Sequence, residues 1–220
     1  VAADFDGDRD FDLAASNRGS NDVSLLLGDG KGGFAKAVNL ALASAPGAIA
    51  VGDASGDGRA DLFVVLSNGA EVTLLYSTPG KLFDVGMRFL IQQFAVENIT
   101  TGDWNRDGRA DFALDGVGLK TWLVSGSGLL QARSGPTAEV RSPRYVATVD
   151  YDRDGRDDLL AASYEGLTTL FSGTANGTFT PTVLPTLVGN HYALPVDVDG
   201  DRHLDVVGGY RTPDDQTLSV

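Results

Sequence analysis

The sequence predicts an all-β protein built from repeated four-stranded antiparallel units, and three observations carry that prediction. One acidic loop, Asp-x-[Asp/Asn/Ser]-x-Asp-x-x-x-Asp, begins at Asp4, Asp53, Asp103, Asp150 and Asp197, so that it recurs every 47 to 50 residues. Short apolar runs flank each copy, with almost no helical periodicity between them. The chain also carries 28 glycines in 220 residues, as a fold with many tight turns requires. Units of about 40 to 50 residues with four short strands are the signature of propeller blades.

The elements follow in a fixed order. First strands are expected at 48–51, 98–101, 145–149 and 192–196, each leading into a loop. Second strands leave the loops at 11–15, 62–66, 112–114, 159–162 and 204–207. Third strands follow at 23–27, 72–76, 121–124 and 168–171, and then turns at 28–34, 77–83, 125–130 and 172–179. A more polar fourth strand closes each unit. The blades therefore span approximately 1–46, 47–95, 96–142, 143–190 and 191–220 of a single domain, the last one incomplete. One four-stranded sheet cannot bury both faces alone, so neighbours must pack on one another. A stack of calcium-binding β-rolls would need a repeat near nine residues, which is absent. After Val207 only 217–220 can form another strand. A longer natural chain is the preferred expectation, with subunits that complete one another as the other. Val1 opens in mid-pattern without an initiator Met or a signal peptide, as in a processed chain or an excised piece.

Within the loops, positions 1, 3, 5 and 9 are Asp4, Asp6, Asp8 and Asp12; Asp53, Ser55, Asp57 and Asp61; Asp103, Asn105, Asp107 and Asp111; Asp150, Asp152, Asp154 and Asp158; Asp197, Asp199, Asp201 and Asp205. Position 7 can add a backbone carbonyl, from Asp10, Arg59, Arg109, Arg156 and His203. An all-oxygen shell suits a hard cation, and Ca²⁺ tolerates its irregular geometry better than Mg²⁺. Without a cation, two carboxylates roughly 4 Å apart repel by about 4 kcal/mol at an effective dielectric near 20. Up to five structural Ca²⁺ ions are expected. Gly58, Gly108 and Gly155 at position 6 supply the positive φ of a sharp turn. The first and fifth loops carry Arg9 and Arg202 there, with Gly7 and Gly200 at position 4, and are expected to turn differently or bind more weakly. An EF-hand would need Glu at position 12 and flanking helices; Ala15, Val64, Leu114, Ala161 and Gly208 stand at that position.

Charge narrows the partners. With 30 acidic and 17 basic residues the net charge is −13, which argues against a nucleic-acid backbone. Twenty of the acidic residues lie in the five loops, so five Ca²⁺ ions would leave about −3. The absence of cysteine removes disulfide and thiolate chemistry. No apolar run approaches the roughly 18 residues of a membrane span. Loops without a twelfth-position Glu sit toward weak affinity, which favours an extracellular setting with its abundant Ca²⁺.

The Asp-Phe-Asp-Gly-Asp-Arg-Asp-Phe-Asp-Leu-Ala segment from Asp4, followed by Leu-Leu-Leu-Gly-Asp-Gly-Lys-Gly-Gly-Phe ending at Phe34, resembles the FG-GAP/VCBS repeat of integrin α-subunit-like β-propellers. The resemblance covers essentially the whole chain, and it implies that the five blades expected here could be part of a propeller of about seven. It implies Ca²⁺ ligands at positions 1, 3, 5 and 9 of each loop, with Ser55 the weakest match. Relatives of that kind include adhesion propellers, secreted bacterial repeat proteins, fungal lectins and propeller-shaped polysaccharide lyases. The implied partner is a glycan or a cell-surface or extracellular protein, with further blades or subunits as possible associates.

Catalytic signatures are missing: no Gly-x-Ser-x-Gly, no His-Glu-x-x-His, no phosphate-cradling Gly-x-x-x-x-Gly-Lys. Paired carboxylates serve glycosidases, but here they fall at ligand spacing, so the expectation is a recognition module without enzyme activity. A polysaccharide lyase domain and a structural spacer of a large surface protein are the alternatives. Only His191 and His203 are present. Trp104 and Tyr151, at position 2 of their loops, are candidate rings for stacking on a sugar, against the simpler reading that position 2 packs inward as Phe5 and Val198 suggest. Trp122 is expected in the core, and Tyr164, Tyr192 and Tyr210 could pack between blades. Asn98-Ile99-Thr100 and Asn176-Gly177-Thr178 are glycosylation sequons.

Overall fold

The computed structural model describes residues 1–66, 71–79, 81–91, 96–116, 118–125, 130–133, 140, 143–163, 167–188, 192–211 and 216–219. Among these residues the chain is all strand and turn. Sheet one holds β1 (Ala2–Ala3), β2 (Asp12–Asn17), β3 (Asp22–Leu26) and β4 (Val38–Ala41). Sheet two holds β5 (Pro46–Gly52), β6 (Asp61–Leu66), β7 (Glu71–Thr78) and β8 (Lys81–Leu90). Sheet three holds β9 (Ile99–Gly102), β10 (Asp111–Leu114), β11 (Lys120–Val124) and β12 (Leu130–Arg133). Sheet four holds β13 (Pro143–Val149), β14 (Asp158–Ser163), β15 (Leu167–Gly173) and β16 (Phe179–Val188). The last sheet has β17 (Tyr192–Val196), β18 (Asp205–Arg211) and β19 (Gln216–Ser219). Each is an antiparallel meander with strands in chain order, as propeller blades are.

Register is the same wherever a loop joins first and second strands. Asp61 pairs with Gly52, Asp111 with Gly102, Asp158 with Val149 and Asp205 with Val196, so the ninth-position Asp always opens its strand. One expected turn is shorter than the sequence suggested. In place of a loop over 77–83, Thr78 pairs directly with Lys81, because Pro79 presets the φ of a tight two-residue turn. Its Gly80 lies outside the described residues, as do most of the turn expected at 125–130, Tyr164, His191 and Val220.

The core is a series of apolar layers between successive sheets. Phe5, Val23 and Leu25 meet Leu62, Val64, Leu75 and Phe83 between the first two. Phe63, Val65, Leu74 and Phe89 meet Ile99, Phe112, Leu114 and Trp122 in the next layer, where Phe112 stacks on Trp122 with centroids 5.2 Å apart. Leu123 meets Val146, Leu159 and Phe171 in the third layer, and Leu160 and Ala162 meet Ala193 and Val206 in the fourth. A strand such as β6 is therefore buried on both faces, odd residues toward one neighbour and even residues toward the other. Each fully buried Leu or Phe contributes about 1.5 to 3 kcal/mol.

First strands lie side by side along the series, β5 against β9, β9 against β13 and β13 against β17. Thr148 N donates to Thr100 Oγ1 (3.2 Å), and the two threonine hydroxyls lie 3.0 Å apart. Glycine ends β5 and β9 because no Cβ fits there. A Cβ on Gly52 would come within 2.5 Å of Ala110 Cβ, and one on Gly102 within 2.9 Å of Thr148 Cγ2. Asn98, the first sequon residue, spends its amide on Asp115 Oδ2 (2.6 Å) and Arg144 O (2.8 Å). Among the described residues no further sheet packs on the outer faces of the first and last sheets. Leu13 is 38% exposed on one and Leu194 53% exposed on the other, while Tyr192 packs between blades, edge-on to Tyr145 of sheet four with ring centroids 6.1 Å apart. Among the described residues no helix is long and apolar enough to cross a membrane.

Candidate metal centre

All five acidic loops adopt one backbone path. Position 4 has positive φ in every copy, at Gly7 (88°), Gly56 (74°), Arg106 (57°), Arg153 (61°) and Gly200 (81°). Position 6 does the same at Arg9 (76°), Gly58 (83°), Gly108 (80°), Gly155 (76°) and Arg202 (72°). The expectation that the first and fifth loops turn differently is thus corrected. Arg9 and Arg202 take the left-handed conformation that glycine takes elsewhere, at a cost of roughly 1 to 2 kcal/mol for a residue with a Cβ.

What compensates is a repeated set of hydrogen bonds. Asp4 Oδ1 accepts from Gly7 N (2.7 Å) and Asp8 N (3.1 Å), and its Oδ2 from Arg9 N (2.8 Å). Asp53, Asp103, Asp150 and Asp197 likewise accept from the position-6 N–H, at 2.7 to 3.0 Å. Position 5 accepts from position 7: Asp8 from Asp10, Asp57 from Arg59, Asp107 from Arg109, Asp154 from Arg156 and Asp201 from His203, at 2.7 to 3.0 Å. The loop amides therefore turn the carboxylates inward.

The ninth-position Asp has a role that spacing alone did not reveal. Asp12, Asp61, Asp111 and Asp158 are buried, and each ties two backbones together. Asp12 accepts from Phe5 N and Gly28 N, both at 2.8 Å. Asp111 accepts from Trp104 N (3.1 Å) and Val124 N (2.8 Å), and Asp158 from Tyr151 N (2.9 Å) and Gly173 N (2.8 Å). Asp61 accepts from Ser77 N (2.8 Å), with Ser55 N (3.0 Å) in place of the position-2 amide. Asp205 accepts from Val198 N at 3.0 Å. The pattern was legible only as an Asp opening a strand; its two donors come from the loop and the third strand.

Burial pushes the carboxyls of Asp61, Asp111 and Asp158 up, Asp111 to about 7, and the like charges of neighbouring loop carboxylates add to it. Backbone donors oppose the shift but do not cancel it. Such a group favours a counter-charge. Asp4, Asp6 and Asp8 bring oxygens within 4.8 Å of one another, as do Asp150, Asp152 and Asp158, and Asp197, Asp199 and Asp205. Asp150 Oδ1 is buried and receives no hydrogen bond from the protein. An oxygen-seeking cation fits that donor set. Asp154 stands apart from its cluster, paired with Arg156 Nη2. With Ser55 and Asn105 at position 3, the second and third loops offer three carboxylates each, and among the described residues these are not drawn together within 4.8 Å as the other three clusters are.

Both candidate stacking rings are drawn inward. Trp104 is 3% exposed and packs edge-on against Phe179 at 5.7 Å, so no sugar reaches its face. Tyr151 is half-buried against the layer between the last two sheets. The aromatic side chains exposed near a loop are instead Phe11, 75% exposed at position 8, and Phe34, which flank Gly28. Trp122 is in the core as expected.

Four-stranded antiparallel sheets in chain order, with an acidic loop between their first two strands, define an all-β repeat protein whose sheets are consistent with propeller blades. A family model for the FG-GAP-like repeat matches residues 4–64 and 150–208, more than half of the chain, and the chain belongs to that family. No curated protein matches the sequence.

Proposed function

We propose that the protein is an extracellular recognition module whose loops are held by Ca²⁺ and whose loop-end surface meets a glycan or the surface of another protein. The observation that carries the cation reading is the convergence of Asp150, Asp152 and Asp158, with Asp150 Oδ1 buried and without a protein donor. FG-GAP-like repeats are often calcium-binding and typical of extracellular proteins. The side chains at positions 1, 3, 5 and 9 of the five loops, with the position-7 carbonyls, would hold up to five ions. A bound ion supplies positive charge that offsets carboxylate repulsion and, by binding only the folded state, adds to stability.

Recognition is favoured over catalysis because the carboxylates fall at ligand spacing and already serve the loop backbone. Phe11 and Phe34 give the loop end an exposed apolar surface on which a sugar ring or a partner side chain could rest. Further blades would pack on the outer faces that carry Leu13 and Leu194. Equilibrium dialysis with Ca²⁺ followed by a glycan array, run with and without chelator, tests both halves. Calcium-dependent glycan binding lost in Phe11→Ser supports the reading. Absence of bound Ca²⁺ ends the cation half, and a blank array directs the search to protein ligands.

A further inference from the structure

The third loop is fastened to the loop on either side of it. Arg109, at its position 7, sends Nη1 to the carbonyl oxygens of Ala54 (3.2 Å) and Ser55 in the second loop. The next residue, Ala110, donates its N–H to Asp53 O at 2.7 Å. On the other side, Arg106 Nη2 donates to Gly155 O of the fourth loop, and Asp103 N donates to Asp157 Oδ2 at 3.1 Å. Arg59, the position-7 residue of the second loop, lies over the first, where a Cβ on Gly7 would sit 3.5 Å from its Nη2. Arg156 departs from the pattern and turns to its own blade, on Asp154 of its loop and Gly173 O of β15. The tie between the third and fourth loops is made by Arg106 instead.

We propose that Arg109 and Arg106 couple the third loop to its neighbours, so that cation binding in one loop strengthens binding in the next. The proposal rests on the cation reading above. Ordering a loop costs roughly 1 to 2 kcal/mol of backbone entropy per residue. Arg109 belongs to both loops at once: its N–H is held by Asp107 Oδ1 at 3.0 Å, while its guanidinium holds Ala54 and Ser55. A cation that orders the third loop therefore fixes the group that orders the second, and the second cation meets a loop already in its bound shape. Both bonds come from Nη1, which stands one atom further from the backbone than a lysine Nζ could reach. Arg109 and Arg106 act as positioning residues; their side chains touch no cation.

The part of the Trp104-sensitised terbium luminescence that is lost in Asp107→Asn reads the third loop and separates the outcomes. Asp57→Asn removes a carboxylate from the second loop. In the otherwise unchanged protein it is expected to weaken terbium binding at the third loop by about fivefold or more, the range of an ordinary coupling between sites. In Arg109→Met, which keeps the position-7 carbonyl, the same Asp57→Asn change is expected to have less than about a twofold effect. Arg109→Lys retains charge and stem and is expected to behave like Arg109→Met, which keeps the test open if the methionine variant fails to fold. Equal weakening in all backgrounds overturns the coupling and leaves the cation reading standing. Absence of calcium heat and terbium luminescence in the unaltered chain overturns the cation reading itself.

Discussion

The carboxylate of Asp111 accepts a 2.8 Å hydrogen bond from the backbone N–H of Val124, thirteen residues along the chain. Its second oxygen accepts from Trp104 N in the loop. One buried side chain thereby joins the loop to two strands. Asp111→Ala should cost about 3 kcal/mol or more, since two buried donors are left unsatisfied at roughly 1 to 3 kcal/mol each. Asp107→Ala removes an exposed carboxylate and should cost less than about 1 kcal/mol in the absence of metal. Urea unfolding with chelator present measures both, and equal losses would contradict the distinction between these positions.

Arg9 holds a left-handed backbone at φ 76°, where three sister loops use glycine. Arg9→Gly should relieve that strain and stabilise the protein by up to about 1 kcal/mol, the relief being partly offset by glycine's freedom in the unfolded chain. Gly58→Ala should destabilise by a similar amount. Paired thermal melts check the opposite signs.

Gly102 is crowded by the neighbouring blade: an added Cβ would meet Trp104 Nε1 at 2.8 Å, Asp157 Oδ2 at 2.9 Å and Thr148 Cγ2 at 2.9 Å. Gly102→Ala should wedge the third and fourth sheets apart and cost about 1 to 3 kcal/mol. Chemical denaturation reads the loss, and an unchanged midpoint would mean that the contact yields freely.

Glu71 is buried and receives two hydrogen bonds from Arg88, from Nε to Oε1 and from Nη2 to Oε2 at 2.8 Å. The Arg88 guanidinium holds its carboxyl below the ordinary 4.5. A depressed pKa in the folded state stabilises above the unfolded value and is lost as pH falls through the folded one. Glu71→Gln should therefore lower the melting temperature at pH 7, with a gap from the unaltered protein that narrows below about pH 4.5. A gap that stays constant into acid would sink this assignment.

Chelation should lower the melting temperature steeply. A cation at one hundred times its dissociation constant contributes about 2.7 kcal/mol at one site. Calorimetric scans in Ca²⁺ and in chelator give the comparison; coincident melts would show that the loops stand without metal.

Much of the local structure was legible because β-strand signals and the acidic loop are short-range. The strand at 192–196 follows from its place immediately ahead of the fifth acidic loop, and β17 occupies that same span. Trp104 illustrates where such reading stops. Position 2 carried two readings, ligand platform and core, and nothing nearby in sequence decides between them. Phe179, which covers the indole, is 75 residues away and in another sheet.

What the sequence by itself determined is the repeat: the unit, the acidic loop, the antiparallel strands around it and the FG-GAP-like family. Those properties depend on residues a few positions apart, where side-chain type limits backbone choice directly. Only the tertiary structure decided that Arg9 and Arg202 accept a glycine conformation, that Asp12 and its equivalents bind backbone amides, and that Arg109 reaches Ser55. Each of these depends on groups brought together across a turn or between sheets. There, burial and the need to satisfy every polar atom outweigh local preference.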